Sequence, residues 1–289
     1  MSDITAPAPR SAERVRAPRI PLVLEVVATE RLSPSLTRVR LGGSGFDAFV
    51  AQADPERLAS TDKYVKLLFA KPELGLVPPY DLEALRETLP QEDLPSRRTY
   101  TVRDVDLAAR TISIDFVVHG DEGIAGPWAA AAQPGDLLCL TGPGGKFRPD
   151  QDAAVHRLYA GDESAVPAIA AALENLPATA VGTALLQVDG PADELPLVAP
   201  AGVEVRWLHR GSADLVAEVE ALSVPDAPVE AFVHGERGQV KALGAVLQGT
   251  WGLSRSAMSL SAYWARGRAE DRFQSEKREP IGQLFDDPA

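Results

Sequence analysis

The sequence predicts an antiparallel β-barrel followed by a doubly wound α/β domain with a mostly parallel sheet. In the first half, short apolar or β-branched runs are separated by turn residues, which is typical of a small barrel. After Gly145, strand-like runs alternate with helical ones, which is the pattern of βαβ units. A chain of 289 residues is long enough to bury two cores of this kind.

The barrel strands are predicted from short runs bounded by turn residues. The run 111–116 alternates polar and apolar residues, the period of a half-buried strand. The other runs are 22–28, 36–41, 64–69 and 137–140. Between Lys71 and Ser96 lies a Pro-rich insertion, in which a short helix is predicted at 82–88.

The second half predicts strands at 157–160, 183–188, 203–208, 229–234 and 259–264, with helices at 165–176, 215–222 and 239–247. The change of rhythm places a domain boundary near 147–152, so that residues 20–148 form the barrel domain and residues 149–289 the α/β domain. The Ala-, Pro- and Arg-rich segment 1–19 is expected to be a disordered lead-in rather than a signal peptide.

Composition excludes several classes of protein. A formal charge of −12 argues against nucleic acid as the main partner. No run approaches the ~20 apolar residues of a membrane span, so we expect no span and a cytoplasmic protein. Cys139, the single cysteine, lies in an apolar run and is expected to be a buried thiol, neither disulfide-bonded nor a metal ligand.

A series of motifs in the middle of the chain is typical of a flavin-binding surface. The run 97–103 supplies Arg98 for a phosphate, the flat ring of Tyr100 and the hydroxyl of Thr101. His119 and Gly120 follow the next predicted strand, and the segment Ala125-Gly126-Pro127-Trp128 then opens a short helix whose N-terminus suits a pyrophosphate. The combination indicates redox chemistry rather than hydrolysis.

Each of these residues also has a purely structural interpretation. Strand alternation places Arg98 and Tyr100 on one face and Thr99 and Thr101 on the other, and an exposed edge strand would show the same residues. Twist at the strand end still allows Thr101 to reach the edge of the flavin ring. His119 is equally well explained as a strand-end histidine bonded to backbone, and Trp128 is better explained as a core residue.

In the α/β half, ligands are expected beyond the carboxyl ends of the strands, at the loops 161–164, 208–212 and 234–238. Asp162 and Ser164 are predicted to cap the following helix, whose N-terminus would face the flavin. Arg210 is a candidate for the 2'-phosphate of NADPH, or a solvated arginine. No G-x-G-x-x-G motif is present, which argues against the usual dinucleotide fold.

The tail is basic against an acidic background. After Tyr263 and Trp264, a helix is predicted that carries Arg268, Arg272, Lys277 and Arg278. Helices of this composition are often merely solvated and laced with salt bridges.

Taken together, the motifs resemble the siderophore-interacting protein family of flavin-dependent ferric-siderophore reductases, in the ferredoxin-reductase-like superfamily. The resemblance covers about residues 22–279. It is carried by the segments 97–103, 119–123, 126–129, 134–136, 142–143 and 161–168 and by Tyr263-Trp264.

The resemblance implies an FAD-binding barrel, a nicotinamide-nucleotide domain and a ferric siderophore as electron acceptor. It implies that Arg98 binds an FAD phosphate, that Tyr100 packs on the isoalloxazine, and that Thr101 approaches N5 as the catalytic residue. The other implied cofactor residues are Thr99, His119, Gly120, Ala125, Gly126, Pro127, Trp128, Asp162, Ser164 and Arg210. Lys277, with Arg266 and Arg268, would face an anionic ferric complex.

Several points stay open in the sequence. The donor is NADPH or NADH, with a ferredoxin also used in the family, and no residue discriminates between them. The alternatives to a ferric-siderophore reductase are a flavin reductase serving a protein partner and a non-catalytic flavin- or siderophore-binding protein. A monomer is the expected state, although no motif addresses it.

Overall fold

The computed structural model describes residues 21–120 and 123–285, so the predicted lead-in at 1–19 lies outside the described residues. Within them the chain forms a closed antiparallel barrel, whose strands lie side by side in the order Leu22–Arg31, Leu36–Gly42, Thr111–Val117, Ser96–Asp106, Tyr64–Phe69 and Leu137–Gly144. A five-stranded parallel sheet follows, in the order Met258–Trp264, Val229–Glu236, His156–Asp162, Val181–Val188 and Gly202–His209. The predicted fold class is therefore confirmed.

Each predicted barrel run is a strand. The strands are β1 (Leu22–Arg31), β2 (Leu36–Gly42), β3 (Tyr64–Phe69), β4 (Ser96–Asp106), β5 (Thr111–Val117) and β6 (Leu137–Gly144). Alternation on β5 points Ile112, Ile114 and Phe116 into the barrel, where all three are fully buried. The buried Asp115 on the opposite face accepts two hydrogen bonds from Arg38, at 2.6 and 2.8 Å.

Four helices accompany the barrel. They are α1 (Phe46–Gln52), α2 (Pro55–Ala59), α3 (Leu82–Thr88) and α4 (Ala125–Ala131). The short helix predicted in the Pro-rich insertion is α3, and its N-cap Asp81 accepts from the amides of Glu83 and Ala84. The sequence analysis missed α1, which packs Phe46 and Phe49 against the barrel core.

The α/β domain follows the predicted alternation. Its elements are β7 (His156–Asp162), α5 (Val166–Glu174), β8 (Val181–Val188), β9 (Gly202–His209), α6 (Leu215–Glu220), β10 (Val229–Glu236), α7 (Arg237–Gly249), β11 (Met258–Trp264) and α8 (Glu270–Glu276). All three loop predictions overlap regular elements: residues 161–162 end β7 and residues 208–209 end β9. The predicted loop 234–238 was wrong throughout, because residues 234–236 continue the parallel pairing of β10 with β11 and α7 begins at Arg237.

Two apolar layers cover the parallel sheet. One contains α5 together with Tyr159 and Phe232, and the other contains α6 and α7. Helix α5 approaches β7 closely at Gly161, where a Cβ atom would lie 2.5 Å from the carbonyl oxygen of His234 and 2.6 Å from Cβ of Ala165. The glycine thus permits the tight packing that brings the carboxyl ends of β7 and β10 together.

Polar contacts join the two domains directly. Asp193 accepts from the hydroxyl of Ser33 and the amide of Ser35, both at 2.9 Å. Arg103 of β4 forms a bidentate ion pair with Glu174 at the end of α5. These contacts set the barrel strand β4 against the α/β domain. In the described part of the chain, no helix has the length and apolarity needed to cross a membrane.

Candidate active site

The centre of the candidate site is the segment Arg98–Thr101 on β4, where the barrel meets the α/β domain. The Tyr100 ring packs on Phe116 with centroids 4.4 Å apart. Thr99 is exposed, whereas Thr101 is 7% exposed. Burial of Thr101 on the outer side of a barrel strand requires a covering group, and Tyr263 of β11 lies close enough for the Thr101 side chain to lower the pKa of the Tyr263 phenol.

Trp128 of α4 belongs to the barrel core. Its ring packs on Phe69 at 5.6 Å and on Phe116 at 5.7 Å between centroids. This packing agrees with the core interpretation favoured from sequence, and a cofactor contact of the half-buried ring stays a prediction. Trp128 still contributes indirectly to the site, because it supports the Phe116 ring on which Tyr100 rests.

The loop before α4 presents exposed groups beside β5. His119 and Gly120 are exposed, and Gly120 adopts φ +58°, which favours glycine. Helix α4 begins at Ala125 after an N-cap, Ile124, that makes no side-chain capping bond. A Cβ atom on Gly126 would lie 3.1 Å from the carbonyl oxygen of Val117, so a glycine here keeps the helix start close to β5.

The tail, which is the segment after β11 that contains α8, contacts β4. Asp271 of α8 forms an ion pair with Arg98, its Oδ1 lying 3.2 Å from Nη1. Burial raises the pKa of Glu270, and the nearby charges of Arg98 and Lys277 oppose that rise. Lys277 Nζ lies 4.6 Å from the centre of the Phe273 ring. Cations and carboxylates thus meet beside Tyr100.

The predicted tail helix is shorter than expected. Helix α8 spans Glu270–Glu276 and carries only Arg272 of the four predicted basic residues. Lys277 is its C-cap, and Arg268 precedes it. Just after the helix, the chain folds back tightly at Gly282, where a Cβ atom would lie 2.1 Å from the carbonyl oxygen of Glu276.

Glu276 is buried among three arginines. Its Oε1 accepts from Nε of Arg268 and of Arg272, both at 2.9 Å, and its Oε2 accepts from Nη1 of Arg237 at 2.6 Å. The hydrogen bond from Arg237, with those from the other guanidiniums, lowers the pKa of Glu276 to about 2. Arg268, a predicted substrate residue, is therefore held by Glu276. Arg266 is exposed, and its backbone amide donates to Oε1 of Glu236.

Asp162 lies at the carboxyl end of β7 and is fully buried. It accepts from the amide and hydroxyl of Ser164, from the amide of Glu236 at 2.8 Å and from Nε1 of Trp264 at 2.7 Å. The predicted capping role was wrong: the N-cap of α5 is Ala165, without a side-chain bond. Burial raises the pKa of Asp162, and its four donors oppose the rise.

Arg210 follows β9 and is neither free nor simply solvated. Its Nη1 lies 2.7 Å from Asp189 Oδ1, and its Nη2 pairs with Glu163. Glu163 neighbours Asp162 and Ser164, so the structure brings the three predicted residues of the α/β domain to one edge of the sheet. Any phosphate at Arg210 would compete with two carboxylates.

Sequence reasoning missed a buried polar cluster on the sheet face toward the barrel. His234 Nδ1 lies 2.9 Å from Tyr263 Oη, and Nε2 lies 3.1 Å from Ser259 Oγ. The imidazole stacks on Phe232 with ring centres 3.7 Å apart. Burial lowers the pKa of His234 to about 3, so the ring is neutral near pH 7. The hint in the sequence was a histidine inside an apolar strand run.

The residues present fit FAD. Arg98 supplies a cation beside the ring of Tyr100, where its charge opposes the rise that burial causes in the pKa of the Tyr100 phenol. Phosphates attract such cations, and an isoalloxazine ring packs on a tyrosine face. Helix α4 adds an N-terminus without a side-chain cap.

Comparisons with known proteins agree with this geometry. The family model described as "Siderophore-interacting FAD-binding domain" matches residues 25–147, and the model described as "Siderophore-interacting protein" matches residues 154–267. The ferric vibriobactin reductase ViuB of Vibrio cholerae is 33% identical over 271 residues, covering 92% of this chain and 97% of the relative. The chain belongs to the siderophore-interacting protein family.

Other relatives support the same membership. An uncharacterized protein of Mycobacterium tuberculosis is 46% identical over 273 residues, covering 88% of this chain and 94% of the relative. The NADPH-dependent ferric-chelate reductase of Escherichia coli is 33% identical over 238 residues, covering 81% and 89%. At the level of the family, the protein is an oxidoreductase flavoprotein with an FAD-binding domain.

Solved structures show the same architecture. The siderophore-interacting protein SipS from Aeromonas hydrophila superposes with a TM-score of 0.75 at 27% identity, covering 92% of this chain and 99% of that one. The ferredoxin reductase of carbazole 1,9a-dioxygenase gives a TM-score of 0.61 at 17% identity, covering 86% and 70%, and so shows the fold alone.

Proposed function

We propose that this protein is an FAD-dependent ferric-siderophore reductase that takes electrons from NADPH or NADH. The observation that carries the proposal is that Arg98, Tyr100 and Thr101 meet the α/β domain and the tail at one place. A flavin bound there lies between the barrel that holds it and the sheet edge that receives a nicotinamide. The full-length similarity to two ferric reductases supports the same activity.

FAD, when bound, supplies the conversion of a two-electron hydride donor into a source of single electrons for Fe(III). The protein's own task is to position the groups. Arg98 would bind a phosphate of the cofactor in place of Asp271, Tyr100 would pack on the ring from its support on Phe116, and Thr101 would be the hydroxyl available to the ring edge. Arg210 is the cation available to the nicotinamide donor. Its guanidinium is held by two carboxylates, with Nη1 2.7 Å from Oδ1 of Asp189 and Nη2 paired with Glu163.

The acceptor site is assigned to the exposed basic groups of the tail. Arg266 and Lys277 are exposed, and both are suited to an anionic ferric complex. Arg268 contributes mainly by holding the tail through Glu276. The hard oxygen ligands of a siderophore bind Fe(III) better than Fe(II), so reduction loosens the iron and the protein needs no iron ligands of its own.

The test is anaerobic turnover with NADPH or NADH, a ferric siderophore and a colorimetric Fe(II) chelator, with no second protein present. The proposal predicts catalytic release of Fe(II). Turnover that requires an added protein would identify a flavin reductase serving a partner. An FAD-loaded protein that is not reduced by either nucleotide, or that once reduced does not transfer electrons to iron, would identify a binding protein.

A variant locates the acceptor site. Lys277→Ala is expected to raise the KM for the siderophore several-fold, because it removes a cation assigned to the anionic ferric complex. Flavin content should be unchanged, because the cofactor phosphate is assigned to Arg98 and not to Lys277. Arg206→Ala removes an equal charge from the distant edge strand β9, where the arginine faces Glu204 and Glu218. It is the matched control. Equal KM values for the two variants would remove Lys277 from the site.

A further inference from the structure

A continuous series of polar side chains runs from the candidate flavin site along the sheet face toward the barrel. It begins at Thr101, whose side chain lies close enough to Tyr263 to lower the pKa of that phenol. Tyr263 Oη lies 2.9 Å from Nδ1 of His234, and Nε2 of the same ring lies 3.1 Å from Ser259 Oγ. Thr101 at the start of the series is 7% exposed and His234 is 3% exposed, so both are shielded from solvent.

The far end of the series opens on a cleft. The cleft has a volume of about 500 Å³ and lies at the amino ends of β10 and β11. Ser259 is part of its wall, which combines apolar residues with five charged ones, namely Lys146, Arg148, Asp150, Glu230 and Arg255. An open cleft of this size with charged groups in its wall holds water, so Ser259 connects the buried series to solvent.

We infer that Thr101, Tyr263, His234 and Ser259 form a proton relay that carries the N5 proton of the reduced flavin to this cleft. The inference rests on the proposed function. It assigns proton-transfer roles to Tyr263, His234 and Ser259 of the α/β domain. Protons would leave at the amino ends of β10 and β11, the edge of the sheet opposite the tail.

The redox balance requires that a proton leave the reduced flavin. For each hydride taken from the nicotinamide, two electrons leave singly to two Fe(III) ions, and one proton remains at N5 to be released. The series can accept it because each hydroxyl both donates and accepts, and a neutral imidazole can give up a proton at one nitrogen while gaining one at the other. Every member thus gains one proton and passes one on.

The surroundings keep the relay neutral. Lys146 faces His234 and, after burial, is the further cause that lowers its pKa. Desolvation raises the pKa of Tyr263, and the negative charges of Asp62 and Asp162 and the phenol of Tyr64 add to that rise, while the Thr101 side chain opposes it. A neutral imidazole and a neutral phenol are the states in which both can pass protons.

The first test needs no flavin. The chain has four histidines, so ring ¹⁵N–¹H correlation spectra of the histidine-labelled protein resolve each imidazole. Tyr263→Phe should shift the Nδ1 resonance of His234, and Ser259→Ala should shift Nε2. Ser261→Ala, on the same face of β11 between them, is the control and should shift neither. Unchanged His234 resonances in Tyr263→Phe would overturn the relay.

The second test follows the proton. The FAD-loaded protein is photoreduced without oxygen and mixed with ferricyanide in a stopped-flow instrument containing a pH-indicator dye. In the wild type and Ser261→Ala, proton release should keep pace with the return of flavin colour. In Tyr263→Phe and Ser259→Ala, proton release should be at least tenfold slower, and equal rates would refute the relay.

The design separates two failures. Ferricyanide is a one-electron acceptor that needs no siderophore site, so a protein that passes here and fails with a ferric siderophore disproves only the proposed function. Tyr263→Phe keeps the aromatic ring in place, and Ser259→Ala acts at the opposite end. Agreement between them excludes local unfolding as the cause.

Discussion

His234 links stability to pH in a way that can be calculated. Burial lowers its pKa from 6.5 to about 3, while the unfolded chain retains a value near 6.5. Below pH 6.5 the unfolded chain therefore binds a proton that the folded protein excludes, so folding becomes less favourable as pH falls. The stabilising contribution is intact above pH 6.5 and is lost progressively toward pH 3.

The magnitude follows from the two pKa values. Between pH 7.5 and 5.5, the free energy of unfolding should fall by about 1.4 kcal/mol through this group alone. His234→Gln retains an amide near Tyr263 and Ser259 but cannot titrate, so this share of the pH dependence should vanish. Other titrating groups, including His156 and Asp162, are common to both proteins and cancel in the comparison.

The assay is urea unfolding at 25 °C and at both pH values, followed by tryptophan fluorescence. Ser259→Ala is the control, because it removes a hydrogen bond to His234 and leaves the imidazole buried; it should keep the pH dependence of the wild type. Identical pH dependence in the wild type and His234→Gln would mean that His234 is protonated in the folded protein, and would refute the reasoning.

Three further predictions concern the charged groups of the site. Arg98→Gln should lower FAD occupancy at least tenfold, measured by absorbance after dialysis, because a neutral amide cannot bind a phosphate; full occupancy would exclude Arg98 from the cofactor site. Arg210→Ala should raise the KM for NADPH more than that for NADH, and equal changes would argue against a 2'-phosphate contact. Glu276→Gln should lower the melting temperature by several degrees at pH 7, because three arginines lose their shared carboxylate. Since the pKa of Glu276 is about 2, this difference between wild type and variant should shrink only as pH falls from about 4.5 toward 2, and a difference that does not depend on pH would contradict the ion cluster.

The order of elements was predictable because each one carries its own local signal. The alternation at 111–116 and the strand–helix rhythm after Gly145 reappear as β5 and the parallel sheet. Helix α1 was missed because its seven residues mix Phe46, Phe49 and polar positions without a full helical period. Short helices of that kind are determined by packing against the barrel rather than by pattern.

The site was predictable as segments but not as contacts. Arg98 and Tyr100 could be identified from their neighbours along the strand, whereas the pairing of Arg98 with Asp271 spans 173 residues. Likewise Arg210 meets Asp189 and Glu163 only because three loops converge at one sheet edge. The Arg272–Glu276 pair has helical i,i+4 spacing and was readable from sequence, but Arg237 comes from another helix.

His234 illustrates the limit most clearly. A histidine that ends an apolar run is equally consistent with a loop ligand and a buried strand residue. Only the pairing of β10 with β11, which sets His234 opposite Ser261, places its ring between Ser259 and Tyr263. Register between strands far apart in sequence carries that information, and no local pattern encodes it.

The central claim is that electrons pass from a nicotinamide through FAD to ferric siderophore. The most direct measurement is the anaerobic visible spectrum of the purified, FAD-reconstituted protein during stepwise addition of NADPH or NADH and then ferric siderophore. We expect a yellow protein that bleaches with a nicotinamide and regains its colour as two Fe(II) appear for each nicotinamide consumed. A protein that stays colourless after reconstitution with FAD, or a reduced flavin that persists beside ferric siderophore, would contradict it.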